Sequence, residues 1–314
     1  MISSLELARL CGVSQGTVDR ALHNRPGVSI ATKARILETA KKHGYLPHPA
    51  MQEMLSGKSD LIGAVVPSVN TPFFMDLMQA AADEFLAHKV RLLITPVSNR
   101  KEFLAALEEF AARRFRGALV VPPEENIHIP AAISFPIATF LSACTASSTH
   151  LFAPDEQETG RIAVDYLLKQ GHTQILHVTY SRNTSGIKNR AKGYADAMQQ
   201  AGLEPHVHTD NGPASFMDVV EKYKPTAIFC HNDWLALEII RRLGLAGLRV
   251  PEDISVMGVD NSPTFAALYP GMTTMHYPIA EIARDAVAWM LGGGEPANTG
   301  HISLVSGETL RRIT

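Results

Sequence analysis

The sequence predicts an N-terminal all-α helix-turn-helix bundle followed by a two-lobed α/β core with parallel sheets. Three observations lead there. The first 45 residues hold three short stretches with apolar residues at helical spacing, each opened by a serine: Ser3, Ser14 and Ser29. From Leu61 onward, apolar runs of strand length alternate with amphipathic stretches, the pattern of parallel strands covered on both faces. That alternation runs roughly twice, over 61–150 and 155–277, which implies two similar lobes with a cleft between them.

In the head, Ser3 and Glu6 have capping-box spacing, and Leu7, Ala8 and Cys11 give the first helix its apolar face. Gly12 breaks it. Ser14 then caps a second helix carrying Val18 and Leu22, so two helices meet at a tight turn and the second is shaped for a DNA major groove. By spacing alone the pair is equally an ordinary helical hairpin. Ser29 caps a third helix with Ile36, Leu37 and Ala40 as its buried stripe, ended by Gly44 after Lys41, Lys42 and His43. Pro47 and Pro49 stop that helix. Pro49–Ser56 is long enough for two turns, a helix too short to stand alone in water that would order only against a partner surface; the alternative is a plain linker. Within the core, LIGAVVP, VRLLIT, GALVV, IATFL, ILHVT, AIFC and ISVMGV read as strands. Phe74–His88, Lys101–Arg113, Arg161–Gln170, Lys188–Ala201, Trp234–Leu243 and Ile279–Leu291 read as helices. A single eight-unit barrel would need more strand–helix pairs than these.

Composition bounds the function. The 314 residues are 46% hydrophobic and 19% charged, ordinary for a globular protein of two or three domains. No apolar run approaches a membrane span, and Met1 stands two residues from a helix cap, so no leader is expected. Cys11, Cys144 and Cys230 are far apart and form no CxxC pair, so a cytoplasmic location is expected. The net charge of −2 hides an asymmetry: residues 1–60 carry eight Lys/Arg against five Asp/Glu, the remainder 21 against 26, and His23, His43 and His48 also lie in the head. A basic head on an acidic body fits phosphate binding by one small module.

GVSQGTVDRALHNRPGVS with GYLP behind it resembles the DNA-binding domain of the lactose-repressor family of bacterial transcription regulators. The resemblance continues in order through LIGAVVP with NTPFF, DYLLKQGHTQI, NRAKGY, HNDWLA and PEDISVMGVDNS. It implies a helix-turn-helix over 1–46, a hinge over 47–60 and a periplasmic-binding-protein-like effector-binding and dimerisation core over 61–314. Lobe 1 would be about 61–153 with 278–300, and lobe 2 about 154–277 with 301–314. It also implies a dimeric, ligand-controlled regulator, a repressor of a pseudo-palindromic operator, with a sugar or sugar derivative in the cleft. The absence of a leucine-heptad tail before Thr314 favours a dimer over a tetramer. The sequence departs from the family at Asp19, where Ser is usual before Arg20, in the hinge, where Met51, Gln52 and Met54 replace an Ala-Arg pair and a Leu wedge, and at Pro154, where many relatives present a polar or aromatic group.

For DNA, Gln15 and Arg20 are the base-reading candidates, since Gln matches adenine and Arg matches guanine bidentately. Gly16 lets the backbone approach closely. Ser14, Thr17, Ser29 and Thr32 are cast as phosphate positioners, and Met54 as an apolar wedge between base steps. For the effector, Asp260 and Asn232 end strands at carboxyl edges, where cleft ligands bind. The resemblance makes Arg190 the guanidinium and Phe73 and Phe74 the aromatic surface, and places Ser142 and Tyr277 at pocket positions. Asp233 is expected to cap the helix that follows.

No cofactor or metal is expected. His206 and His208 share one strand face without a third ligand, Cys230 and His231 are strand neighbours that point apart, and GxGxxG, phosphate-loop and GxSxG motifs are lacking. Catalysis is therefore not expected. The competing reading, a solute-binding protein of a sugar transport system, would need export and has no use for a basic head.

Overall fold

The computed structural model describes residues 2–23, 25–45, 59–181, 184–292, 294–295 and 300–313. The chain forms two compact units, Met1–Ser59 and Asp60–Thr314. Pro49–Ser56, with Met54, lies outside the described residues.

The first unit contains α1 (Ser4–Leu10), α2 (Gln15–Leu22) and α3 (Ile30–Lys42). The capping box is complete: Glu6 N–H donates to Ser3 Oγ at 3.2 Å, and Ser3 N–H donates to Glu6 Oε2 at 2.7 Å. Gly12 turns the chain with φ +61°, a conformation that glycine adopts without strain. Leu7, Val18 and Ile36, one from each helix, are fully buried, with Ala8, Cys11, Ala21 and Ala40 around them. Leu37 does not join this core. It is 43% exposed, because the stripe of α3 runs through Ile36 and Ala40, and Leu37 falls on the flank.

In the second unit, one sheet has strand order β2-β1-β3-β5-β7, all parallel, from β1 (Leu61–Val66), β2 (Arg91–Pro96), β3 (Ala118–Val120), β5 (Ile137–Phe140) and β7 (Thr149–Phe152). The short β4 (Ile127–His128) and β6 (Cys144–Thr145) pair separately. The second sheet runs β13-β12-β11-β10-β8-β9. Its strands are β8 (Ile175–Thr179), β9 (His206–Thr209), β10 (Ala227–Cys230), β11 (Ser255–Asp260), β12 (Thr273–His276) and β13 (Ser303–Val305), and only β13 is antiparallel. The helices are α4 (Pro72–Ala87), α5 (Arg100–Ala112), α6 (Glu156–Lys169), α7 (Ser185–Gln200), α8 (Pro213–Tyr223), α9 (Asp233–Leu245), α10 (Pro263–Leu268) and α11 (Ile279–Met290). Each sheet has an apolar cluster on both faces, which is why its strands read as unbroken apolar runs. The chain passes from the first sheet to the second after β7, returns after β12 so that α11 packs on α4, and ends beside the second sheet.

Two glycines set the closest helix approach. A Cβ on Gly160 of α6 would collide with the Arg190 carbonyl, and one on Gly193 of α7 with the Gln157 carbonyl. The two backbones therefore touch, and this fixes Glu156 at the start of α6 against Arg190 on α7.

Candidate functional site

At the head, Ser14 and Ser29 are N-caps, accepting from the amides of Thr17 and Thr32, each at 3.2 Å. Their hydroxyls also pair with those of Thr17 at 2.9 Å and Thr32 at 2.8 Å. Gln15, Gly16 and Arg20 are exposed on α2. Gln15 Nε2 donates to Ser4 Oγ at 2.7 Å, which tethers α2 to α1 and leaves the amide oxygen to accept from a base. Arg20 has no side-chain hydrogen bond or ion pair among the described residues, so its fork stands free for a partner outside the chain. Asp19 is accounted for within the head: it accepts from Arg25 Nη1 at 3.0 Å and faces His23 Nδ1 at 3.0 Å. The carboxylate is thus turned along its own turn and neutralised there.

In the second unit, a cavity of about 280 Å³ lies where the carboxyl ends of both sheets meet. Five of the seven expected residues line it: Phe73, Phe74, Arg190, Asn232 and Asp260. Ser142 and Tyr277 do not. Ser142 is buried beside the cavity, where its hydroxyl lies 3.1 Å from that of Ser185 and accepts from the Ser185 amide at 3.2 Å. Tyr277 stands behind Phe73, edge-on with ring centroids 5.0 Å apart, and its hydroxyl has no hydrogen-bond partner among the described residues.

Arg190 is held by its own chain. Nε and Nη2 both donate to Glu156 Oε2, at 2.8 and 2.5 Å, and Nη1 donates to the His231 carbonyl. Three of its five N–H groups are occupied, and two remain for a ligand. Glu156 is only 5% exposed; burial pushes its carboxyl above the usual range, with Arg190 opposing, and Oε1 has no hydrogen-bond partner among the described residues.

Asn232, not Asp233, caps α9, its Oδ1 accepting from Leu235 N–H at 2.9 Å and from the Tyr180 hydroxyl at 3.0 Å. Asp233 is the first residue of α9 and turns inward. It accepts from Thr274 Oγ1 at 2.6 Å and from Asn261 N–H at 2.7 Å, beneath strand β11 where a Cβ on Gly258 would collide with it. Burial raises its carboxyl to about 7. This grip shapes the end of β11. Asp260 and Asn261 have φ of +125° and +44°, unusual for residues with a side chain and of the kind held at ligand sites by surrounding contacts. The Asp260 carbonyl accepts from Tyr277 N–H at 2.9 Å, while its carboxylate, 8% exposed, has no hydrogen bond among the described residues. Burial, and next the Asp233 charge, push the Asp260 carboxyl well above the usual range.

Sequence reasoning did not single out Glu156, Tyr180, His231 or Trp234, which also line the cavity. Each follows or ends an element at the carboxyl edge of a sheet or at a helix start, and that placement was the available signal. Contacts between elements of the two sheets flank the cavity: Asp76 on α4 accepts from Thr264 N–H at 2.9 Å and Oγ1 at 2.5 Å, and Lys188 on α7 pairs with Glu125 at 2.5 Å. Cys230 is fully buried and its thiol is pushed well up by burial, so the Cys230-His231 neighbours hold no reactive pair. Among the described residues no three His, Cys, Asp or Glu side chains gather as metal ligands, and no helix is long and apolar enough to cross a membrane.

Residues 5–48 match the model of bacterial regulatory proteins, lacI family, and residues 164–312 match the periplasmic binding protein-like domain. The HTH-type transcriptional repressor PurR of Aliivibrio salmonicida (strain LFI1238) is 28% identical over 308 residues, covering 93% of this chain and 92% of that protein. Among solved structures, a lac repressor dimer bound to operator and the anti-inducer ONPF aligns with TM-score 0.81 and 20% identity over 99% of both chains. A periplasmic binding protein/LacI transcriptional regulator from Alkaliphilus metalliredigens QYMF complexed with D-xylulofuranose aligns with TM-score 0.69 and 22% identity, covering 80% of this chain and 99% of that one. At these identities the two structures show the fold.

Proposed function

This chain is a lacI-family DNA-binding transcription regulator with a ligand-binding domain, and we propose that it is a dimeric, cytoplasmic repressor released from or fixed on a pseudo-palindromic operator by a small molecule, a sugar or sugar derivative, in its cleft. The observation that carries the proposal is the buried Asp260 carboxylate, which lines the cavity and has no hydrogen bond among the described residues. A desolvated acceptor of that kind is costly unless a ligand satisfies it. Beside this acceptor, two spare N–H groups of Arg190 and the Asn232 amide NH2 are donors, and together they give the mixture that a polyhydroxylated ring needs. Phe74 and Trp234 offer it apolar faces. The complexed relative from Alkaliphilus supports a furanose-sized occupant.

Residues 1–46 would form the DNA head, 47–60 the hinge and 61–314 the core. Gln15 and Arg20 would read bases, Gly16 would let the backbone approach closely, Ser14, Thr17, Ser29 and Thr32 would seat on phosphates, and Met54 would wedge between base steps. A ligand acts on such a device only by binding its two states unequally. The cross-lobe contacts Asp76–Thr264 and Lys188–Glu125 are where closure would be felt. The test is a titration of DNA sites selected by the protein from a random pool, with and without candidate sugars. Salt-dependent binding to a two-fold site, changed by a ligand in the native protein and unchanged in Asp260→Ala, is the expected result. Sites lacking two-fold symmetry, or a ligand response that survives in Asp260→Ala, would refute it.

A further inference from the structure

The charges of the cleft do not balance. Among the described lining residues, Arg190 faces two carboxylates, Glu156 and Asp260, and a third, Asp233, is buried immediately behind them. The one guanidinium spends three N–H groups on Glu156 Oε2 and the His231 carbonyl. Among the described residues two acceptors lack a hydrogen bond: Glu156 Oε1, which is fully buried, and the carboxylate of Asp260, a residue 8% exposed that lines the cavity.

We propose that the effector carries a protonated amine, as a hydroxylated amine of monosaccharide size such as an amino sugar. This rests on the reading of the cleft as the effector site. A neutral hydroxyl can hydrogen-bond one of the two acceptors, but it leaves the excess negative charge uncompensated in a desolvated place. An ammonium supplies both the hydrogen bonds and the missing charge, and charge-assisted bonds are the stronger kind. The remaining wall fits the same occupant: the rings of Phe74, Tyr180 and Trp234 border the cavity, and aromatic faces attract cations. An anion meets the opposite conditions. Phosphate or carboxylate would lie against Asp260 and Glu156, with the guanidinium already shared, and like charges at such range repel strongly in a cavity of low polarity. Burial first, and for Asp260 next the Asp233 charge, raise the carboxyls of Glu156 and Asp260, and a cation seated between them would favour their ionised forms.

The experiment measures thermal shift and calorimetric affinity with the full chain across matched sets. These are D-glucosamine, D-galactosamine and D-mannosamine, their N-acetyl forms, the parent hexoses, the hexose 6-phosphates and the uronates. At least one free amine should bind about tenfold or more tighter than its parent hexose and its N-acetyl form, and Asp260→Asn or Glu156→Gln should remove that preference. A panel in which no amine binds, or in which a neutral or anionic member equals its amine, overturns the proposal. If such a neutral or anionic ligand loses binding in Asn232→Ala, only the charge class fails and the cleft remains the effector site. If an amine binds equally to the native protein, Asp260→Asn and Glu156→Gln, the cleft reading fails as well.

Discussion

Glu156 and Arg190 meet through a single carboxylate oxygen. Oε2 accepts from both Nε and Nη2, and Oε1 meets no donor among the described residues. Both side chains are at least 95% buried, so each depends on the other. Removing one partner of a buried pair strands a charge and costs about 3–5 kcal/mol. Glu156→Ala should lower stability by that order in urea denaturation. The double variant Glu156→Ala with Arg190→Met should recover part of the loss; equal losses in single and double variants would mean that the pair is not coupled.

Gly193 brings α7 against α6 so closely that a Cβ would meet the Gln157 carbonyl. Gly193→Ala should cost about 1–3 kcal/mol through overpacking. It should also weaken ligand binding, because α7 carries Arg190. Gly202, which ends the same stretch with φ +72° and open space around its Cβ position, is a useful contrast: Gly202→Ala should cost a backbone penalty without affecting the ligand.

Arg20 is exposed and has no side-chain hydrogen bond or ion pair among the described residues, so Arg20→Ala should leave thermal stability within about 0.5 kcal/mol of the native value. Discrimination between the selected site and random DNA should fall by about 1–3 kcal/mol if the fork reads a guanine. Competition binding at fixed salt measures this directly, and unchanged discrimination would remove Arg20 from the reading surface.

Asp19 holds Arg25 and His23 in the turn after α2. Such partly exposed pairs contribute about 1 kcal/mol or less, so Asp19→Asn should fold normally. Freed of its carboxylate, Arg25 becomes available to phosphate. The slope of log affinity against log salt should steepen by about 0.9 for one added phosphate contact. An unaltered slope would show that Arg25 does not reach the backbone.

His177 lies between the rings of Phe229 and Tyr194, with Nδ1–H donating to the Phe229 carbonyl, and burial lowers its pKa to about 4. The unfolded chain takes up that proton near pH 6.5. The stabilisation from a neutral His177 is therefore full above about 6.5 and is lost as the pH falls towards about 4. His177→Asn keeps a donor towards Phe229 but does not titrate. Its Tm should be lower throughout and should fall less steeply between those two pH values; parallel acid limbs would assign the acid sensitivity to other groups.

The parts of this molecule that were legible in the sequence are those written locally. Serine caps, the Gly12 turn and unbroken strands such as SVMGVD place the head and both sheets. Helix α8 escaped notice because only Phe216 and Val220 of its residues are buried, too few for a clear stripe. The edge strand β7 and strand β12 (Thr-Thr-Met-His) lack a long apolar run. In the cleft, Asp260 and Asn232 were legible from strand ends, whereas the roles of Glu156 and Asp233 depend on pairings across 34 and 41 residues, with Arg190 and Thr274. Tyr277 was misplaced for a related reason: its neighbour in space, Phe73, comes from the other sheet's side of the chain.

The central claim is that a ligand bound at Asp260 alters DNA binding by the head. Fluorescence anisotropy of the selected two-fold site measures it most directly, using whichever sugar-class compound most raises the Tm of the native protein. That compound should change the affinity of the native protein for DNA by roughly tenfold, within the usual range of coupling energies. Asp260→Ala should bind the same DNA with its affinity unaffected by the compound. An equal response in both proteins, or none in either despite bound ligand, would contradict the claim.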